Sequence, residues 1–247
     1  MKLTGNTIFI TGGGSGIGRG LAEALHRLGN KVIISGRRRA QLDAVVAANP
    51  GIEAVQLDIA DPRSIAAVAR QLVAEHPGLN VLINNAGIML ADDAAGAVDD
   101  KTLVSEIETN LMGPIRLSAA LVEHLKRQQQ ATIVYNSSVL AFVPLAPFAV
   151  YSATKAALHS YALSQRFQLR NTSVKVQEIA PPYVSTDLIG APDDPRAMPL
   201  DRFIEGTIAA LGGDAEEVLV EEARALRNNP GPNEHAFVNQ FNSGWAA

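Results

Sequence analysis

Tyr151 and Lys155 stand four residues apart in the run Tyr151-Ser152-Ala153-Thr154-Lys155, with Ser138 upstream of both. On a helix that spacing puts two side chains on one face, bringing the ammonium near the phenol. A neighbouring cation favours phenolate, so Lys155 is expected to lower a phenol pKa that starts near ~10. A phenol tuned in this way exchanges a proton with a carbonyl or alcohol oxygen near neutral pH. Far upstream, Thr11-Gly12-Gly13-Gly14-Ser15-Gly16-Ile17-Gly18 lies between an apolar run and a helical pattern. Glycines there allow close approach to phosphate, and a helix starting near Ile17 points its partly positive N-terminus at a pyrophosphate. The spacing Gly12-x-x-x-Gly16-x-Gly18 is not Gly-x-Gly-x-x-Gly, because Ile17 or Arg19 stands where a third glycine would fall. An ordinary glycine-rich loop is the plain alternative, and the strand before it and helix after it argue against that.

The elements that must position these residues alternate regularly. Short β-branched runs at 7–11, 31–35, 53–57, 81–83, 132–135, 174–179 and 218–220 read as strands, several apolar on both faces as a buried parallel sheet requires. Helical patterns fall between them at 17–28, 38–48, 62–75, 98–126, 150–170 and 200–211. The alternation predicts an α/β, doubly wound, three-layer αβα fold of Rossmann type with a mostly parallel seven-stranded sheet, whose ligand crevice lies beyond the carboxyl ends of the strands. Residues 1–247 are expected to form a single domain, with 1–135 mainly binding cofactor, 136–227 supplying catalysis and substrate contacts, and 228–247 as a tail. Apolar residues Phe237, Val238, Phe241 and Trp245 suit a short amphipathic helix in that tail, docked on the body or on a partner subunit.

Composition excludes several classes. A net charge of −4 without a lysine or arginine block points away from nucleic acid and anionic membranes. There is no cysteine, hence no disulfide framework or thiol chemistry. No long uncharged apolar run suggests a membrane span, and Met1 leads almost at once into the first strand, so a cytoplasmic protein without a signal peptide is expected. His26, His76, His124, His159 and His235 show no metal-ligand spacing and read as surface or packing residues, so no metal is expected.

The ordered set of motifs resembles the short-chain dehydrogenase/reductases, in their single-domain branch, from about Thr4 to about Leu226. The set comprises the glycine turn, Asp58, Asn84-Asn85-Ala86-Gly87, Asn110, Ser138, Tyr151 with Lys155, and Val184 with Thr186 after Pro181-Pro182. Most relatives carry Pro-Gly where this chain has Pro181-Pro182. The stretch from Ala156 to Asp187, with Leu158-His159-Ser160 and Pro181-Pro182, looks like a bacterial subgroup named for an oxidoreductase encoded with the lipoteichoic acid D-alanylation genes. That name records gene neighbourhood and implies no reaction.

The resemblance implies roles. Gly12, Gly14, Ser15, Gly16, Ile17 and Gly18 would cradle the cofactor phosphates; Asp58 and Ile59 would meet the adenine; Asn85, Ala86 and Gly87 would contact the adenosine side; Pro181, Val184 and Thr186 would close the nicotinamide end. A helix cap is the alternative for Asp58. Tyr151 would donate a proton to a substrate carbonyl oxygen held also by Ser138, Lys155 would bond the nicotinamide ribose, and Asn110 would hold a water relaying protons to Lys155. Ser137 competes with Ser138 for the serine role, and the family's spacing to the tyrosine selects Ser138.

Cofactor choice turns on the end of the second strand, where NAD-selecting chains place an acidic residue. Here Gly36 occupies that position and Arg37, Arg38 and Arg39 follow, so NADP(H) is preferred, with Arg37 and Arg38 the phosphate contacts and NAD(H) the alternative. Leu140, Phe142, Val143, Leu145, Phe148 and Tyr183 suggest an apolar wall for neutral ketones, aldehydes or alcohols, and 188–199 reads as a lid. The resulting expectation is an NADP(H)-dependent carbonyl reductase or alcohol dehydrogenase, homodimeric or homotetrameric through the 98–126 and 150–170 helices. A cofactor-sensing regulator without turnover is the alternative, disfavoured by the intact Asn110, Ser138, Tyr151 and Lys155 set.

Overall fold

The computed structural model describes residues 1–189, 194–229 and 231–245. Seven strands form one sheet: β1 (Thr7–Thr11), β2 (Lys31–Gly36), β3 (Glu53–Gln56), β4 (Leu79–Asn84), β5 (Ala131–Asn136), β6 (Val174–Ile179) and β7 (Glu217–Val218). Their order is β3-β2-β1-β4-β5-β6-β7, and every neighbouring pair is parallel. Parallel neighbours require a crossover on one face or the other, and the side chains show it. Ile8, Ile10, Val32 and Ile34 face α1 (Gly16–Arg27), α2 (Arg39–Ala48) and, further along the chain, α7 (Leu200–Leu211) and α8 (Glu221–Arg227). Phe9, Ile33 and Leu82, pointing the other way, pack on α3 (Pro62–Glu75), α5 (Gly113–Lys126) and α6 (Ala149–Leu169). This is the doubly wound three-layer arrangement.

The direction of winding reverses between β1 and β4, which opens a crevice at their carboxyl ends. The candidate motifs lie there. Among the described residues, no helix is long and apolar enough to cross a membrane.

Two elements depart from expectation. The single helix read at 98–126 is α4 (Asp100–Ile107), a π-helical turn (Glu108–Met112) and α5. Pro114 explains the break: it has no N–H to donate to the carbonyl four residues back, that of Asn110, and the chain widens to an i→i+5 bond from Gly113 N to Glu108 O. The last strand is shorter and earlier than 218–220, because Glu221 already starts α8. The tail does form a helix, α9 (Glu234–Ser243). Of the lid read at 188–199, Gly190 and Pro192 lie outside the described residues; Met198 pairs with Val184.

Candidate active site

The carboxyl ends of β1, β4 and β5 are stapled together by side chains. Thr11 Oγ1 accepts from the amides of Asn85 and Ala86, both at 3.0 Å, and Asn85 Nδ2 donates to Thr11 O at 2.9 Å. Asn136 Nδ2 reaches Asn85 Oδ1 at 2.8 Å, while Asn84 Nδ2 bonds Ser118 Oγ at 3.0 Å. A segment rich in asparagine suits this place, since each amide both donates and accepts across strands that have run out of main-chain partners.

Two glycines of the turn are required by contact. Gly12 has φ 70°, and a Cβ on it would meet Asn85 Nδ2 at 2.9 Å; a Cβ on Gly18 would lie 2.3 Å from Gly12 O. The turn feeds α1, whose N-cap Ser15 is extended and makes no side-chain bond to the helix amides. Ser15 Oγ instead accepts from Arg38 Nη2 at 3.3 Å. The first amides of α1 thus face the crevice uncapped, a ready anion site.

Beyond the turn, Gly36, Arg37 and Arg38 border the same cavity. Both arginines are exposed, and among the described residues no carboxylate pairs with either guanidinium, whereas Arg39 is bound to Asp43 at 2.8 Å. Leu57 and Ile59 also border it. Asp58 between them accepts from Ala60 N at 3.0 Å, a local turn bond, and α3 is capped by Asp61.

The cavity, about 520 Å³, runs from these residues to Ser138, Tyr151 and Lys155. Ser138 follows β5 in extended conformation, its Oγ accepting from Leu140 N at 3.1 Å. Ser137 points elsewhere, donating to Glu178 Oε1 at 2.5 Å. Ser138 is the serine on the Tyr151 side, hydrogen-bonded with its phenol. Lys155 Nζ donates to Asn136 O at 2.8 Å, and a Cβ on Gly87 would touch both Asn110 Oδ1 and Lys155 Nζ. Asn110 itself is fully engaged through its side chain, accepting from Ile88 N at 2.9 Å and donating to Ile88 O and Thr154 Oγ1.

The electrostatics correct one expectation. Lys155 does not depress the Tyr151 phenol here: burial raises it above the ordinary value, opposed by the hydrogen bond with Ser138 and assisted by the charge of Glu106. Desolvation is the largest effect on a phenol whose ring, 5.4 Å away by its centroid, is what the Lys155 ammonium lies over. Burial in turn lowers Lys155 to about 8, with Glu178 and Glu106 holding it up.

At the other end, Leu140, Leu145, Phe148, Tyr183, Phe241 and Trp245 form an apolar chamber next to Ser138 and Tyr151. Helix α9 supplies Phe241, and Trp245 follows just past its end. Asn242 pins that helix, with Nδ2 bonding Pro144 O at 3.0 Å and Oδ1 accepting from Ala146 N. Trp245 meets the Tyr183 ring edge-on at 5.7 Å, and the Arg196 guanidinium lies 4.3 Å from the Trp245 centroid. Pro181, Val184 and Thr186 border the cavity between chamber and glycine turn.

The sequence pattern of the family described as short chain dehydrogenase matches residues 6–196. This chain belongs to the short-chain dehydrogenases. A Bacillus subtilis protein described as uncharacterized oxidoreductase DltE is 42% identical over 234 residues, covering 92% of this chain and 93% of the relative. A short-chain dehydrogenase from Burkholderia cenocepacia, crystallised with NADP, superposes with a TM-score of 0.86 at 27% identity, covering 97% and 98% of the two chains. A 3-ketoacyl-(acyl-carrier-protein) reductase from Brucella melitensis, crystallised with NADH, gives 0.79 at 25% identity over 86% and 93%.

In this short-chain dehydrogenase, sequence reasoning missed several residues that border or bias the site. Glu106 is wholly buried on α4, accepts from Leu90 N at 2.8 Å, and has its pKa raised chiefly by burial. Leu226 borders the cavity, and Phe241 and Trp245 of the tail do so as well. His159, read as surface or packing, is bonded to buried Glu178. An acidic residue in step with Val174 and Val176, on the same face of β6, was the available signal.

Proposed function

We propose that this chain reduces a neutral, largely apolar ketone or aldehyde to the alcohol, or runs the reverse reaction, with NADP(H) as hydride carrier. The observation that carries the reading is that Ser138, Tyr151 and Lys155 share one cavity with a glycine cradle on one side and an apolar chamber on the other. The cradle suits a dinucleotide: Gly12 and Gly18 let the turn pack closely on itself and on Asn85 at the edge of the cavity, and the turn ends in an uncapped helix N-terminus. Gly12, Gly14, Ser15, Gly16, Ile17 and Gly18 would hold its phosphates; Arg37 and Arg38 the 2′-phosphate; Asp58 and Ile59 the adenine; Asn85, Ala86 and Gly87 the adenosine side; Pro181, Val184 and Thr186 the nicotinamide end. Bound there, the nicotinamide supplies or accepts hydride.

The chain's own residues would do the rest. Tyr151, kept protonated by burial, donates its phenolic proton to the substrate oxygen. Ser138 gives that oxygen a second hydrogen bond, and two donors converging where negative charge develops stabilise the transition state more than the ground state. Lys155 would hold the ribose and return a proton toward the phenol. Asn110, whose carbonyl lacks its ordinary helical donor because the fourth residue on is Pro114, would hold a water relaying protons to Lys155. The chamber of Leu140, Leu145 and Tyr183, closed by Trp245, excludes water from the reacting oxygen.

A panel of aromatic and aliphatic ketones, aldehydes and alcohols, assayed by nicotinamide absorbance with NADPH and with NADH, tests the reading. Turnover of apolar carbonyls with NADPH is expected. Cofactor binding without turnover across the panel would leave the sensing alternative.

A further inference from the structure

Helix α6 carries a third titratable side chain on the face that holds Tyr151 and Lys155. His159 follows Lys155 by one more four-residue step, so the three stand in a row. His159 Nδ1 lies 2.8 Å from Glu178 Oε2, and Glu178 is almost wholly inaccessible. The second oxygen of that carboxylate accepts from Ser137 Oγ at 2.5 Å. Glu178 lies on β6 opposite Tyr135 of β5, next to the Asn136 and Ile179 pair. One buried carboxylate therefore grips, through its two oxygens, the helix of the lysine and the strand end that carries Asn136, Ser137 and Ser138.

A carboxylate in the interior of a parallel sheet is costly unless it is paired. Its surroundings exclude two simpler roles. His159, Glu178 and Glu217 bring ligand atoms within 4.8 Å of one another, but both Glu217 oxygens are already bound to Arg227, at 2.7 and 2.8 Å. Ser137 donates to the carboxylate and not to the imidazole, so the trio is not a nucleophile with its base.

We propose that His159 and Glu178 are positioning residues for Lys155: they fix the Asn136–Ser138 segment against which the lysine and tyrosine work, and they set the negative charge that the lysine faces. Lys155 Nζ is held by Asn136 O, the carbonyl one residue before the anchored Ser137. Among charged groups, Glu178 acts most strongly to keep Lys155 an ammonium, ahead of Glu106. The other charges around His159 are balanced. Glu217 on β7 is neutralised by Arg227 of α8, and Arg166 of α6 pairs with Glu216. Phe142 covers the ring edge-on at 4.8 Å.

The inference rests on the proposed reaction only for its kinetic consequence, so its test begins without substrate. In protein labelled with ¹³C and ¹⁵N at lysine and histidine, the Lys155 Nζ and Cε signals, assigned by their loss in Lys155→Met, are followed against pH. Glu178→Gln is expected to bind the Lys155 proton about tenfold less tightly. His159→Asn, which keeps a side-chain N–H for Glu178 but cannot ionise, is expected to hold it within about twofold. A Glu178→Gln protein that is native by circular dichroism yet leaves the Lys155 titration within twofold of wild type overturns the proposal. Should that variant not fold, Glu178→Asp decides: one methylene shorter, its carboxylate cannot reach Ser137 and His159 together as Glu178 does, and the Lys155 proton is expected to be bound more than twofold less tightly. A Lys155 titration within twofold of wild type in that variant overturns it equally. If a carbonyl is turned over, the alkaline limb of kcat/KM moves to lower pH in Glu178→Gln and stays in place in His159→Asn. Lack of any turnover bears on the proposed reaction and leaves the titration result standing.

Discussion

Lys155 Nζ lies 5.4 Å from the centroid of the Tyr151 ring while bonding Asn136 O at 2.8 Å, so the cation stands over the ring face and is tied to the strand. This geometry separates what the two residues contribute. The phenol stays protonated because it is buried, and the lysine can lose its proton near neutral pH for the same reason. For carbonyl reduction both protons are useful. Reduction measured as kcat/KM is therefore expected to be level at neutral pH and to fall as pH rises through about 8, where Lys155 loses its charge. A profile that stays level to pH 10 would remove Lys155 from the proton path.

Tyr151→Phe deletes the proton donor and leaves a ring of nearly the same shape. Turnover should fall by on the order of 10²–10⁴, with NADPH affinity, read by fluorescence quenching, changed by less than about threefold. Near wild-type turnover would falsify the assignment of Tyr151.

Stability should carry the mark of the buried lysine. Its value in the folded protein, about 8, lies below the ordinary 10.5. Below about pH 8 the ammonium is charged in both states and its burial costs stability; between about 8 and 10.5 the folded protein has released the proton and the unfolded chain has not, so the cost lifts as pH rises. Lys155→Met should thus gain on wild type by on the order of 1–3 kcal/mol at pH 7, and the advantage should shrink toward pH 10. Urea denaturation of both proteins across that range checks the sign. An advantage that grows with pH contradicts the burial argument.

Cofactor choice can be altered at one position. A Cβ on Gly36 would meet only Leu42 Cδ2, at 3.7 Å, so Gly36→Asp fits without rearrangement. It would set a carboxylate beside Arg37, against a 2′-phosphate. A charge-assisted bond contributes on the order of 1.5–3 kcal/mol, so Gly36→Asp or Arg37→Ala should each lower the NADPH over NADH preference by about tenfold or more. Equal use of both cofactors by the wild type would sink the reading of Gly36 and the arginines.

The tail should matter for substrate and the long helices for assembly. Trp245→Ala removes the ring that Tyr183 and Arg196 hold over the chamber, and KM for an aromatic ketone should rise roughly five- to tenfold. Cofactor affinity should not move. Phe167 and Leu163 on α6 and Val104 on α4 are exposed, and a twofold dimer burying this face is expected by light scattering. A monomer at working concentration contradicts it.

Much of this was legible in the sequence because the determinants are local. The alternation of β-branched runs with helical patterns fixes the strands, and strands apolar on both faces can only be interior to a parallel sheet. The glycine turn, Asn84 to Gly87, Ser138 and Tyr151 with Lys155 lie at strand ends or on one helix face, so chain order alone places them at one edge. Gly36 followed by arginines is equally local. The rest depends on groups brought together from far apart in the chain. Whether Lys155 lowers the phenol depends on how deeply Tyr151 is buried and where the ammonium is tethered, and the tertiary structure decided against it. Pro114 reshapes the helix at Asn110 through a bond that a helical pattern does not display. The tail reaches the chamber because Asn242 finds Pro144 and Ala146 nearly a hundred residues upstream. Glu178 and His159 each look unremarkable in sequence. They become a pair beneath Lys155 only when β6 and α6 pack together, because burial and pairing, which set the energy of a charge, are properties of the folded chain.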